Sequence, residues 1–293
     1  MTASINPLRA ACHNNEGTGK LGPVARCTGG RPSPGGYQVL LWGDSHADHL
    51  MPGLAMLGRQ QGFSVRQASV SGCSPFELTS AALGRSACAA FHRAALAEAG
   101  RQAGLAAVVI SLRWATAMPG IVKQVQPRDA GVRHFSEALA ELIARTRQAV
   151  GPRPRIVLVG STPEFAFWPA TCFARAAKLG TDNAICRTAV PTDARWSMAA
   201  DRKLRSLAKA GMSIVLPRTQ LCSATRCITA AHGEVLFRDD DHLTNAGAML
   251  VARQMNQAIL PVDSDEAAPS FREDRAPLFR DDVAPSEVGS YRH

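Results

Sequence analysis

The sequence predicts an α/β fold: a mainly parallel sheet of about five strands with helices on both faces. Two observations carry this. Short, continuously apolar runs alternate with stretches whose apolar residues recur at helical spacing, and a strand that is apolar at every position must be buried on both sides. Hydrophobic residues make up 46% of the 293, but aromatics only 5%, so aliphatic side chains must build the core.

The elements follow in order. Residues 1–36 are rich in Gly, Pro and Asn and read as a lead-in rather than a domain. Residues 37–42 (YQVLLW) read as a buried strand, and 46–61 as a helix with Leu50, Leu54 and Leu57 on one face. Residues 63–70 read as a strand, 86–103 as a helix, and 105–112 (LAAVVISL) as a wholly apolar strand. A helix follows over 134–149, with Phe135, Leu139, Leu142 and Ile143 facing the core, then a buried strand over 155–160. A helix over 193–210, a strand over 213–217, a short hairpin over 219–238 and a last helix over 244–259 complete the domain. The chain thus divides into a lead-in (1–36), an α/β domain (37–260) and a tail (261–293). The tail is rich in Pro, Asp and Ser and poor in aliphatics, which predicts disorder.

The tail is acidic, with net charge −4, so residues 1–260 carry +13 of a total of +9. A basic body suits an anionic surface such as a polysaccharide, lipid headgroups or nucleic acid; scattered surface arginines explain it equally well. No Lys/Arg cluster has interleaved aromatics, which argues against nucleic acid. No run approaches the roughly 18 apolar residues of a membrane-spanning helix. The N-terminus lacks the apolar core, about 7–15 residues long, of an export signal.

The eight cysteines stand at 12, 27, 73, 88, 172, 186, 222 and 227, and none forms a CxxC. They fall into four local pairs with 14, 14, 13 and 4 residues between partners. Pairing Cys12 with Cys27, Cys73 with Cys88, Cys172 with Cys186 and Cys222 with Cys227 brackets a predicted loop each time. The alternative is buried free thiols in a reducing compartment. Disulfides imply an oxidising one. That conflicts with the missing signal unless the chain is the C-terminal piece of a longer membrane protein or its true start lies upstream.

Two motifs carry chemistry. Gly43-Asp44-Ser45-His46 ends the first buried strand, and "RDDDHLTNAG" (238–247) precedes the last helix. In a parallel sheet, ligands bind at the carboxyl ends of strands near a topological switch point, so both motifs belong on one edge. A serine hydroxyl needs a base to become a nucleophile; a histidine suits, oriented by a carboxylate. Asp239 stands three residues before His242, a spacing that brings its carboxylate back to the imidazole on a turn. Asp240 and Asp241 are expected to point elsewhere, as charge near the helix N-terminus beside Thr244 or Asn245 as cap. Taken singly, each motif is also an ordinary turn. His46 and His49 sit three apart, but no third ligand completes a metal site, so no metal is expected. Trp42 reads as core.

Together, "VLLWGDSHADHLMP", "SGCSPF" (71–76), "SLRW" (111–114) and "LFRDDDHLTNAGA" (236–248) resemble the SGNH (GDSL-like) hydrolase superfamily. They are most similar to the extracytoplasmic SGNH domain at the C-terminus of bacterial membrane acyltransferases of the O-antigen acetylase type. The resemblance spans roughly 10–260. It implies a flavodoxin-like three-layer sandwich with Ser45 as nucleophile, His242 as base and Asp239 as its orienter. It also implies a periplasmic location and acetyl transfer to hydroxyls of a cell-surface glycan. No cofactor is expected to be bound; a membrane acyltransferase partner would deliver the acyl group from acetyl-CoA. Gly72 fits the family's glycine block. No asparagine follows the 105–112 strand, so the oxyanion hole is expected from the backbone N–H groups of Ser45 and Gly72. Asp44, His46, Arg113 and Trp114 are candidates for the acceptor site, with Trp114 stacking on a sugar and Arg113 meeting an anionic group, or else serving as strand-end packing and surface charge. Two other readings stay open: an esterase with the same three residues, and a non-catalytic domain that presents glycan to a membrane partner.

Overall fold

The computed structural model describes residues 4–13, 20–79, 86–114, 116, 128–192, 194–208 and 212–260. The tail over 261–293 lies outside them. The central sheet contains β1 (Thr28–Gly30), β2 (Val39–Gly43), β3 (Ser64–Ser69), β4 (Ala107–Ser111), β5 (Arg155–Val159) and β6 (Met212–Val215). Their spatial order is β1-β3-β2-β4-β5-β6. All neighbours are parallel except β1, which runs antiparallel to β3. The sixth strand comes from the lead-in. Its backbone closes an edge of β3 that would otherwise be unpaired.

The main helices are α1 (Ser45–Asp48), α2 (Met51–Gln61), α3 (Ala87–Gly100), α4 (Arg128–Val150), α5 (Pro169–Leu179), α6 (Ala194–Ser206) and α7 (Asn245–Ala252). Successive residues of a strand face opposite ways, and the two cores show it. Val39 and Leu41 of β2 join the layer that holds Leu54 of α2 and Val251 of α7. Leu40 and Trp42 join the opposite layer, with Phe91 of α3, Leu139 of α4 and Leu204 of α6. The helix predicted over 46–61 is broken after α1, because Pro52 has no N–H to continue the ladder and instead starts α2 from its first turn. The predicted last helix also ends early: α7 passes into a 3₁₀ turn (Arg253–Met255) and a final turn (Asn256–Ile259). Helix α5 was not anticipated, although Pro169 at its first turn and left-handed Gly180 after it mark its two ends.

All four local disulfides form: Cys12–Cys27, Cys73–Cys88, Cys172–Cys186 and Cys222–Cys227. The lead-in is further bound through buried polar contacts. Asn6 Nδ2 donates to Asp48 Oδ1 (2.7 Å) and to Gln67 Oε1 (2.9 Å). Arg66, fully buried on β3, pairs with Glu98 at 2.8 Å and donates to the Gly22 carbonyl at 2.6 Å. A charge removed from water at that depth persists only because each face of the guanidinium finds an acceptor.

Sheet register places the site. Gly43 lies opposite Ser69 and Ser111, Ser111 opposite Val159, and Val159 opposite Val215. The five parallel strands therefore end level, and the residues just beyond them share one edge. Strand β2 has β3 on one side and β4 on the other, so the switch point falls where Ser45 begins.

Candidate active site

The strand-to-helix turn after β2 is tightly determined. A Cβ on Gly43 would lie 1.8 Å from the Ser111 carbonyl oxygen, so only glycine lets β2 and β4 approach here. Asp44 then caps α1: Oδ1 accepts from His46 N–H (2.8 Å), and Oδ2 accepts from Arg113 N–H (2.9 Å) beyond β4. Asp44 is buried, and burial pushes its carboxyl above the usual range despite those hydrogen bonds. Ser111 Oγ adds a bond to the His46 carbonyl at 3.2 Å. Ser45 is thus the first residue of a turn pinned at three points.

The loop before α7 closes over it. Phe237 and Leu243 form a bridge, and Arg238 N–H donates to the His242 carbonyl (2.9 Å). Thr244 caps α7 by accepting from Gly247 N–H. Inside this loop the Asp239 carboxylate turns back on its own chain: Oδ1 accepts from Asp241 N–H (3.2 Å) and His242 N–H (2.7 Å). Both its oxygens lie 3.0 Å from His242 Nδ1. His242 Nε2 lies 2.8 Å from Ser45 Oγ. A proton held on Nδ1 by Asp239 leaves the Nε2 lone pair for the serine hydroxyl, the arrangement that activates a nucleophile.

Asp241 corrects the sequence reading. It does not point away: Oδ1 is 2.6 Å from His242 Nδ1, and Oδ2 is 3.0 Å from Arg113 Nε and 3.6 Å from His46 Nε2. Burial pushes the His242 imidazole down, but hydrogen bonds to Asp239 and Asp241 and the charges of both outweigh this and raise it to about 9. Burial raises the Asp241 carboxyl, but His242 and His46 pull it well below the usual range. His49 is buried against this cluster. It accepts from Leu243 N–H at Nδ1 (3.3 Å), and burial holds it well below an ordinary imidazole.

Trp114 is also corrected. It is fully buried, with Nε1 donating to the Val159 carbonyl at 2.7 Å, so it has no face for a sugar. Arg113 is no free anion receptor, because its guanidinium binds Glu164 through two hydrogen bonds (3.0 and 2.5 Å) as well as Asp241. His46 is buried too, its ring 5.3 Å from that of His242, and Asp44 spends its carboxylate on backbone. Asp44, His46 and Trp114 are thus buried around Ser45 and His242, whereas the Arg113 side chain is 36% exposed at the site edge. Gly72 stands three residues beyond β3 on the site edge, in a left-handed conformation (φ +66°). Thr162 and Glu164, not foreseen, follow β5 on the same edge. Thr162 Oγ1 donates to the Asp241 carbonyl (3.2 Å) and lies 3.1 Å from His46 Nδ1.

Comparison with known proteins bears on the fold and the family. No curated protein matches by sequence. Among solved structures, the periplasmic domain of a lipopolysaccharide acetyltransferase from Salmonella ser. Paratyphi A aligns with a TM-score of 0.59 at 18% identity, over 85% of this chain and 92% of that one. A GDSL-like lipase from Bacteroides thetaiotaomicron aligns at 0.41 and 14% identity, over 78% of this chain and 90% of that one. The family model described as "SGNH domain (fused to AT3 domains)" matches residues 11–257. Members of that family are enzymes, and its fusion partners tie it to acyl transfer in general. With the match covering most of the chain, the protein belongs to the family of SGNH domains fused to AT3 domains.

Proposed function

We propose that this domain moves an acyl group, most simply acetyl, onto hydroxyls of a cell-surface polysaccharide through an acyl-enzyme on Ser45. The observation that carries the reading is the 2.8 Å contact between His242 Nε2 and Ser45 Oγ, with Asp239 on the far nitrogen. His242 takes the Ser45 proton as Oγ attacks the carbonyl of the acyl donor. The tetrahedral oxyanion rests on the backbone N–H groups of Ser45 and Gly72. Collapse expels the donor's leaving group, which receives the proton from His242, and leaves acyl-Ser45. A sugar hydroxyl then attacks, again giving its proton to His242, and collapse returns free Ser45 and an acylated glycan.

The fusion partner named by the family model supports an acyl supply from a membrane acyltransferase domain, with acetyl-CoA as the ultimate donor. Four disulfides and the periplasmic neighbour support a location on the outer face of that membrane. No helix among the described residues is long and apolar enough to cross a membrane.

The test is hydrolysis of an activated acetate ester by the oxidised domain and by Ser45→Ala, with mass spectrometry for an acetyl adduct. Turnover and adduct should both vanish in the variant. Added oligosaccharide should then divert acetyl from water to sugar. Equal rates in both proteins, with no adduct and an intact fold, would overturn the reading.

A further inference from the structure

Asp241 is 2% exposed, and a buried carboxylate is tolerated only when its partners replace water. Its partners come from three separate parts of the chain: His242 on its own loop, Arg113 after β4, and His46 after β2. Its backbone is fixed as well, with the N–H on Asp239 and the carbonyl on Thr162. Arg113 is held in turn by Glu164. Asp239, by contrast, is 24% exposed at its side chain and shares its charge with Arg238 at 3.3 Å. His242 Nδ1 therefore hydrogen-bonds the wetter Asp239 carboxylate, while the dry Asp241 carboxylate lies 2.6 Å from the same nitrogen as an ion-pair partner.

We propose that Asp241 is a positioning residue for the Ser45–His242 pair: the buried second carboxylate that sets the basicity of the imidazole, with Arg113 and Glu164 governing how strongly it acts. This rests on the serine acyl-transfer reading above. An opposite charge within about 4–6 Å shifts a titrating group by roughly 1–3 pH units, and more effectively where water is excluded. The exposed carboxylate is the more screened of the two. When the tetrahedral intermediate forms, the imidazolium meets an anion already in place, with no reorganisation required. Asp239 then shares the task of holding the tautomer, so Asp239→Asn should cost less than the roughly 10⁴-fold expected where a single carboxylate does so.

Other charges around His242 must be counted. Arg238 lies on its own loop; Asp44, His46 and His49 come from the turn after β2; and His13 comes from the lead-in. Arg113 faces Asp241 from beyond β4, with Glu164 and Asp240 beside it. Burial and the neighbouring arginines oppose a positive charge on His242, so the upward push must come from carboxylates, of which Asp241 is the nearer at 2.6 Å.

The experiment reads the imidazole directly. In Ser45→Ala protein, where no chemistry intervenes, the His242 ring is titrated by NMR alone and with Asp241→Asn or Asp239→Asn. Asp241→Asn is expected to lower its midpoint by about one pH unit or more. With Ser45 restored, the pH–rate profile should move in the acid direction by the same amount. Arg113→Gln, which removes a competing cation from Asp241, should move the midpoint upward and serves if Asp241→Asn does not fold. A His242 midpoint unmoved by Asp241→Asn in folded protein, or by Arg113→Gln, overturns the proposal. So does a lower rate with an unshifted profile, which would mark a purely structural role. A moved titration in a protein whose Ser45 never acquires an acyl group would sink the functional reading, and this role with it.

Discussion

Replacing Asp44 with alanine tests how the nucleophile is held. The carboxylate accepts from two backbone N–H groups, His46 at 2.8 Å and Arg113 at 2.9 Å, and is buried. Hydrogen bonds to a charged acceptor contribute about 1.5–3 kcal/mol each, so the gross loss is roughly 3–6 kcal/mol. Part is offset, because burial raises this carboxyl and the ionised group is less welcome in the folded chain than in the unfolded one. A net destabilisation of about 2–4 kcal/mol is expected, read from denaturant unfolding of the oxidised protein. The sign of the pH effect follows. A folded-state pKa above the unfolded value favours folding as pH falls toward it, so the gap between wild type and variant should widen on mild acidification. Activity should suffer separately. Ser45 is the next residue, and a misplacement of about 1 Å costs on the order of 100-fold in rate. Asp44→Asn, which keeps one acceptor oxygen but turns an NH₂ toward the other N–H, should fall between. An unchanged unfolding midpoint and rate in Asp44→Ala would refute the claim that this carboxylate pins the turn.

Four further outcomes are expected. With His242 raised to about 9, only about 1% of the imidazole is neutral at pH 7, so Ser45-dependent ester hydrolysis should climb through pH 8 and 9. A plateau already reached at pH 7 would contradict the two-carboxylate environment. The same raised value stabilises the fold fully below about 6.5 and ceases to do so as pH rises through about 9, so thermal stability should decline where activity rises. Trp114→Phe should leave KM for ester and acceptor within about twofold but cost about 1–3 kcal/mol, because the buried Val159 carbonyl loses its donor. Reduction should lower the thermal midpoint well below that of the oxidised chain: the Cys12–Cys27 and Cys73–Cys88 links each span 15 positions, and closing a loop of that size contributes about 3 kcal/mol.

Much of this was legible from local pattern. A strand apolar at every position has one explanation, burial on both faces, and β2, β4 and β5 read that way before any coordinates. The disulfides were legible because each pair brackets a short connection. That Ser45, Asp239 and His242 meet was legible because the meeting depends on position along the chain: a serine two residues beyond a strand, and an aspartate three residues before a histidine on a turn. In each case the controlling contact is local, or follows from which end of a parallel strand a residue occupies.

What escaped the sequence was long-range pairing. In "RDDDHL", three identical side chains differ only in the direction each leaves the loop, and that direction is set by Thr162 on the Asp241 carbonyl and by Asp239 on its N–H. Neither constraint leaves a local trace. Trp114 and Arg113 misled for a related reason. Position at a strand end places a residue on the site edge, but burial depends on what packs from the next layer, here Phe76 and Phe135 around the Trp114 ring. Register offers a way to narrow such errors. Because Gly43, Ser69, Ser111, Val159 and Val215 end level, polar residues just after each strand can meet the loop before α7. Applied to β5, that rule nominates Thr162 and Glu164, the two residues that complete the support of Asp241. The sheet thus defines a short set of candidates, and electrostatics selects among them. A carboxylate driven into that crowded edge must find partners, and those within reach are His242, Arg113 and His46, so the group that seemed most like surface charge becomes the one the site is built around.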